Sequence, residues 1–490
     1  MDILTYIIKL LQGGAGNLAA YLAAHVLLCL VPAFFIAGAM TALIPKETIT
    51  RFLGRNTPKT MSYPAAALAG SVLAVCSCTI VPLFAGIYKK GAGIGPAITF
   101  LFFAPAANIL ALVYTGHILG ADLALARLVL SLAFGIGIGM IMALIFHKDD
   151  AAHDEETDLL FMDQAKLRRG VLMFLFVLVT LLLSGTLKLD VLTTTYGQIT
   201  IPLQGADAFQ AWLYQLIPFD AAKGEEGVST QGAILIGLLI LIGFTAWKGL
   251  SDVLEGFNTW TWPALTLIVL TLLTAALGIV PRAGGLTFLF TGKFFGVALN
   301  LFALVYLGRR FLQDNEINEW LWESWRFVQQ IFPLLVVGVF AVGILRQLIQ
   351  PEWIRFLAGA NTIAGNLAGV VFGVFMYFPT LVEVPIANMF LGLGMHRGPL
   401  LAYLMADPEL SLQSILITSA IIGRTKTWTY VAWVALFSTL AGLIYGAWID
   451  GASLGRISLY LSVFLGVLAA VLYFVGRRND RPVLTRTAAK

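Results

Sequence analysis

The chain has 490 residues, 59% of them hydrophobic and only 12% charged, with a formal net charge of +4. Soluble domains use roughly 45–50% apolar and about 25% charged residues, so this composition is that of an integral membrane protein. The small positive excess is what Lys- and Arg-bearing cytoplasmic loops contribute, and it gives no argument for a nucleic-acid partner.

Runs of roughly 20 apolar residues suffice to cross about 30 Å of hydrocarbon, and they recur along almost the whole length. In chain order the expected spans are 16–44, 63–90, 94–119, 121–147, 167–187, 230–248, 261–281, 283–307, 322–349, 362–392, 397–421, 427–449 and 455–476. Strand-type alternation is absent, which removes a barrel and leaves an all-α polytopic bundle with backbone bonds satisfied inside each span. The opening MDILTYIIKLLQGG lacks the basic start of a cleavable signal. Three cysteines, all in apolar segments, argue against a disulfide framework. Two hydrophilic stretches interrupt the pattern, 148–169 and 188–229; the second is polar without being basic and reads as non-cytoplasmic. The tail carries Arg477, Arg478, Arg481, Arg486 and Lys490 and is placed in the cytoplasm. Eight candidates lie between residue 229 and that tail where an odd number is required, so one segment does not cross. Lys293, in the middle of 283–307, makes that segment the suspect.

An internal repeat organises the chain. Residues 76–105 read CSCTIVPLFAGIYKKGAGIGPAITFLFFAP and residues 379–408 read PTLVEVPIANMFLGLGMHRGPLLAYLMADP. Adding 303 superimposes Pro82 on Pro385, Gly91 on Gly394, Gly95 on Gly398, Pro96 on Pro399, Leu101 on Leu404 and Pro105 on Pro408 without a gap. Upstream, RFLGRNT (51–57) matches RFLAGANT (355–362) with one insertion. The expected organisation is an N-terminal repeat (1–147), a middle block of connecting spans (148–321), a C-terminal repeat (322–449), and a last span with a basic tail (450–490). Parity favours inverted copies, with proline-broken or re-entrant helices meeting near the bilayer midplane, as in many secondary transporters.

The prolines are the expected breaks, because each lacks an N–H and its ring clashes with the carbonyl four residues back. Pro82 frees Cys78, Pro105 frees Leu101, Pro385 frees Leu381 and Pro408 frees Leu404, and such carbonyls need protein or a water-filled cavity around them. Cys76 lies just before the first break, with Cys78 two residues on. On an ideal helix those positions point about 200° apart, so the two thiols converge only where the helix is interrupted. Thiolates suit soft ions such as Cu(I), Zn or a trivalent arsenical; the alternative is small apolar residues that pack well. Ser77 or Thr79 is expected to cap the half-helix that follows, and Cys29, three residues before Pro32, is a candidate third sulfur. The second repeat has no cysteine and places Glu383 inside an apolar segment, the mark of an ion, proton or substrate contact. Asp407 before Pro408 reads as an N-cap with proline at the first helical position, with coupling as its second role. Asn108 is positioned either to satisfy freed backbone or to bind substrate.

The run CSCTIVPLFAGIYKKGAGIGPAITFLFFAPAANI resembles the signature of the predicted-permease family that includes the organoarsenical efflux permeases (ArsP). The shared pattern is Cys-Ser-Cys, Val-Pro-Leu, a Gly-rich turn and an ITFL…APAxN run, here Ile98 to Leu101 and Ala104 to Asn108. The resemblance implies a multi-pass permease of the prokaryotic inner (plasma) membrane that exports trivalent organoarsenicals. With no Walker-type phosphate loop, a gradient rather than ATP must drive it. The expectation is therefore a secondary-active permease, not an enzyme, without cofactor or metal, working by alternating access around Cys76, Ser77, Cys78, Thr79, Asn108 and Glu383. Its expected partners are membrane lipid, a small-molecule or metalloid substrate and a coupling proton, with a homodimer left open. A channel is the main rival reading, and a membrane thiol oxidoreductase a weaker one that usually needs CxxC and a quinone or haem.

Overall fold

The computed structural model describes residues 3–469 except 25, 73–76, 161–167, 188, 204, 218, 221–224, 283–284, 347, 349–350, 376–379, 454, 456, 463–464 and 467–468. The chain is helical because lipid offers the backbone no hydrogen-bond partner. It opens with α1 (Ile3–Ala24), a π-helical turn at Val26–Leu30 and α2 (Val31–Leu43), two rods bent by 50° at the π turn and Pro32. Next come α3 (Lys46–Leu53), α4 (Lys59–Val72), α5 (Ser77–Lys89), α6 (Ile94–Ala106), α7 (Ile109–Ile118), α8 (Ala121–Ile145) and α9 (His147–Leu160). The middle block holds α10 (Arg169–Thr186), α11 (Asp190–Thr193), β1 (Thr195–Ile201), α12 (Ala206–Leu216), β2 (Phe219–Asp220), β3 (Glu225–Glu226), α13 (Thr230–Leu250), α14 (Thr261–Ala276), β4 (Gly278–Arg282), β5 (Gly285–Thr291) and α15 (Gly292–Phe311). The last part holds α16 (Asp314–Arg346), α17 (Pro351–Ala358), α18 (Ile363–Phe375), α19 (Thr380–Gly392), α20 (Arg397–Leu410), α21 (Leu412–Ile422) and α22 (Arg424–Ile449).

Among the described residues, seven helical runs are long and apolar enough to cross a membrane, and two bent pairs also qualify, α1 with α2 and α20 with α21. The chain is an all-α polytopic membrane protein. Two expectations change. Lys293 is the second residue of α15 rather than the middle of a span, and its Nζ donates to Gly185 O at the end of α10. The chain before it is strand: β1, β5 and β4 form an antiparallel sheet in that spatial order, so 261–281 and 283–307 each contain a strand. Alternation over only five to seven residues, next to long apolar helices, is too brief to register as a sheet.

Six consecutive helices, α3 to α8, run 8, 14, 13, 13, 10 and 25 residues; α17 to α22 run 8, 13, 13, 14, 11 and 26. Gly91 turns α5 into α6 with φ 88°, and Gly394 turns α19 into α20 with φ 93°, a conformation that favours glycine. Around them the same bonds recur: Gly91 N–H to Tyr88 O and Ala92 N–H to Ile87 O, then Gly394 N–H to Leu391 O and Met395 N–H to Phe390 O.

Helices α8 and α22 pack antiparallel. The start of α8 meets the end of α22, where Tyr445 Oη donates to Asp122 Oδ2 at 2.8 Å. Their middles meet at Phe134 and Phe437, rings 4.9 Å apart and edge to face. Just past the end of α8, Asp149 lies 3.6 Å from Lys426 near the start of α22. Each of these helices crosses its hairpin partner on a glycine. A Cβ on Gly139 would stand 2.6 Å from Gly95 O, and one on Gly442 would stand 2.6 Å from Gly398 O. Such backbone-to-backbone approach is the usual way helices pack tightly in lipid, where hydrophobic burial gives no drive.

Candidate functional site

The site grows from two helix breaks. Between α6 and α7 the chain leaves helical geometry at Ala107 and Asn108. Asn108 bridges the gap: its Oδ1 accepts the Ala111 N–H at 2.8 Å, and its Nδ2 donates to Ala104 O at 3.0 Å. Both the orphan amides of a helix start and the orphan carbonyls of a helix end are thereby served. Between α20 and α21 Ser411 does the same work at the start of α21, with Oγ accepting the Ser414 N–H at 3.3 Å.

Arg127 projects from α8 towards the first break. Its Nε donates to Ala106 O at 2.7 Å, the last carbonyl of α6, and its Nη1 to Thr115 Oγ1 on α7 at 3.1 Å. The remaining nitrogen, Nη2, reaches across to α19 and meets Glu383 Oε1 at 3.0 Å and Oε2 at 3.4 Å. Both side chains are 0% exposed. One guanidinium thus ties three helices of the N-terminal half to one of the C-terminal half. A second acid is nearby: Glu409, in the last turn of α20, accepts a hydrogen bond from Tyr430 Oη of α22 at 2.6 Å. Helix α20, which carries Glu409, packs against α19, which carries Glu383.

The predicted residues fall as follows. Cys76 lies outside the described residues, and Ser77, Cys78 and Thr79 are the first three residues of α5. Asn108 is at a break, occupied with backbone, and Glu383 is buried between the halves. Cys29 is buried in the π turn that joins α1 to α2. Asp407 is not an N-cap: it lies inside α20, fully buried, and the cap is Ser411. The helix tolerates Pro408 because it stands two residues from the helix end, where little of the ladder remains to be lost. The other prolines are likewise not the breaks themselves. Pro82 and Pro385 lie inside α5 and α19, and Pro105 is the penultimate residue of α6, whose break follows at Ala107 and Asn108. Arg127, Thr115, Glu409 and Tyr430 were not expected. Arg127 and Glu409 carried a usable signal, an ionisable residue within an apolar span; Thr115 and Tyr430 carried none.

An apolar recess of about 530 Å³ opens elsewhere, between α2, α13 and α16, against Phe34, Phe35, Trp247 and Trp325. Among the described residues no charged side chain lines it, so it is a place for hydrocarbon and separate from the ion pair.

The predicted permease family model matches residues 12–447. The UPF0718 protein MJ0584 of Methanocaldococcus jannaschii is 33% identical over 447 residues, covering 91% of this chain and 98% of that protein. The UPF0718 protein YraQ of Escherichia coli K12 is 26% identical over 132 residues, 26% of this chain and 37% of that protein. No solved structure matches.

Proposed function

Because this chain belongs to the predicted permease family, we propose that it is a secondary-active permease of the prokaryotic inner membrane, working by alternating access and exporting trivalent organoarsenicals. The observation that carries the transport reading is the Arg127–Glu383 pair, 3.0 Å apart, fully buried and joining the two halves. A charge pair in this position is a lock with two states. While Glu383 is ionised it holds Arg127; a proton on Glu383, or an anionic group on Arg127, releases the pair and frees the halves to move. Buried ion pairs are weak sources of stability, and their best-attested use is as a register or switch.

We further read residues 16–147 and 322–449 as inverted copies of one unit. The recurring turn bonds support this, as does the antiparallel packing of α8 and α22, in which Phe134 meets Phe437, its own equivalent at +303. A residue touching its own equivalent is what a two-fold axis between the copies requires. Inverted repeats exchange conformations to open one side and then the other.

The arsenical reading rests on the resemblance and on Cys76 and Cys78, and everted vesicles test it. Wild-type vesicles should accumulate methylarsenite in preference to arsenite, and Cys76→Ser with Cys78→Ser should fall to background. Equal accumulation by the serine variant would make the cysteines packing residues and remove the arsenical assignment.

A further inference from the structure

We propose that Glu409 is held in the interior as a neutral carboxylic acid and carries a proton of the transport cycle beside the one that acts on Glu383, an inference that rests on the permease reading above. Glu409 is 5% exposed and Tyr430 is 2% exposed. Among the described residues only Oε2 of the carboxyl has a partner, the Tyr430 hydroxyl, and Oε1 is buried with no hydrogen-bond partner. A proton placed on Oε1 gives the carbonyl oxygen Oε2 to the phenol and makes the buried oxygen a hydroxyl. An ionised carboxylate left there would be stripped of water with a single neutral hydrogen bond in exchange, a heavy desolvation penalty.

No described counter-charge relieves it. From the elements packed against α20, the titratable side chains are Glu383 on α19, Arg127 and Asp122 on α8, and Tyr430 and Tyr445 on α22; α20 itself adds Tyr403 and Asp407. Helices α6, α18 and α21 carry no titratable side chain. All three guanidinium nitrogens of Arg127 are already directed at Ala106 O, Thr115 and Glu383. The remaining basic residues of α20 and α22, Arg397, Arg424 and Lys426, stand at the helix starts, with Arg397 on Asp122 and Lys426 on Asp149.

The position is informative as well. Subtracting 303 from Tyr430 gives Arg127, and from Glu409 gives Ala106. Both copies therefore bond the same two places, cation to carbonyl in one and phenol to carboxyl in the other. Losing the proton from Glu409 adds a negative charge on α20, the helix packed against both α19 and α8, and so weakens the hold of Arg127 on Glu383. Protonation of Glu409 thus favours the locked Arg127–Glu383 pair, and deprotonation loosens it.

Infrared titration of the full-length protein in lipid nanodiscs tests this without any solute. The wild type should show the carbonyl stretch of a protonated, dry carboxylic acid at neutral pH. Glu409→Gln should erase that band, Tyr430→Phe should shift it, and Glu383→Gln should leave it in place. A wild type without the band, or a band that survives Glu409→Gln, overturns the assignment. Removal of the band by sodium at fixed pH would also overturn it, by making the site one for a metal cation. Since the band is read without transport, these outcomes stand apart from any failure of the permease reading, which vesicle uptake decides.

Discussion

Arg127→Met should destabilise the folded protein by about 3–5 kcal/mol, the cost of leaving one member of a buried ion pair without its partner. Three losses combine: Glu383 keeps a charge with no counter-ion, Ala106 O loses a donor, and Thr115 loses the contact that ties α7 to α8. The diagnostic is the double variant. Arg127→Met with Glu383→Leu replaces the charges by apolar groups of comparable size and should recover most of the lost stability, because desolvation of both ions is then no longer needed. Thermal unfolding of the purified protein, followed by tryptophan fluorescence, measures both. A single variant as stable as wild type would mean that the pair is not dry. A double variant no better than the single would mean that Arg127 acts through Ala106 O and Thr115 rather than through Glu383. Transport should be lost in both variants, which separates the role of the charges in the fold from their role in the cycle.

Gly442→Val and Gly139→Val should each prevent correct folding, and to a similar degree. Either Cβ would enter a space already held by a backbone carbonyl 2.6 Å away, Gly398 O in one case and Gly95 O in the other. Overpacking against movable side chains costs about 1–3 kcal/mol, and here the obstacle is main chain, so the hairpins α6–α8 and α20–α22 would have to part. Gly237→Val is the control, because nothing lies within 4 Å of its Cβ position on α13. Fluorescence-detected size exclusion of detergent extracts should give a monodisperse peak for wild type and Gly237→Val and an aggregated one for the other two. A monodisperse Gly442→Val would show that the crossing is looser than this geometry.

The comparison of sequence with structure has a physical pattern. The apolar runs announced the helices because lipid leaves the backbone no alternative, and Gly91 and Gly394 announced the turns because φ near 90° favours glycine. Prolines marked only the neighbourhood of the breaks. A helix loses one hydrogen bond at Pro82 or Pro385 and continues, whereas it ends where Asn108 or Ser411 offers the backbone a side-chain partner. Glu383 was legible as a lone acid in an apolar segment. Its partner was not, because Arg127 lies 256 residues away in the chain and nothing local records that the two helices meet. Glu409 was overlooked although it too is an acid within an apolar span: next to Asp407 and Pro408 it reads as part of a polar helix start, and the packing identifies Tyr430 as its partner.

The most direct test is uptake of methylarsenite into everted vesicles with and without an imposed proton gradient, for the wild type and Glu383→Gln. A permease working through the Arg127–Glu383 lock accumulates the solute above its external concentration only with the gradient, and Glu383→Gln does not accumulate it at all. Gradient-independent equilibration, the same in both proteins, would contradict the account and describe a passive pore whose buried ion pair serves the fold alone.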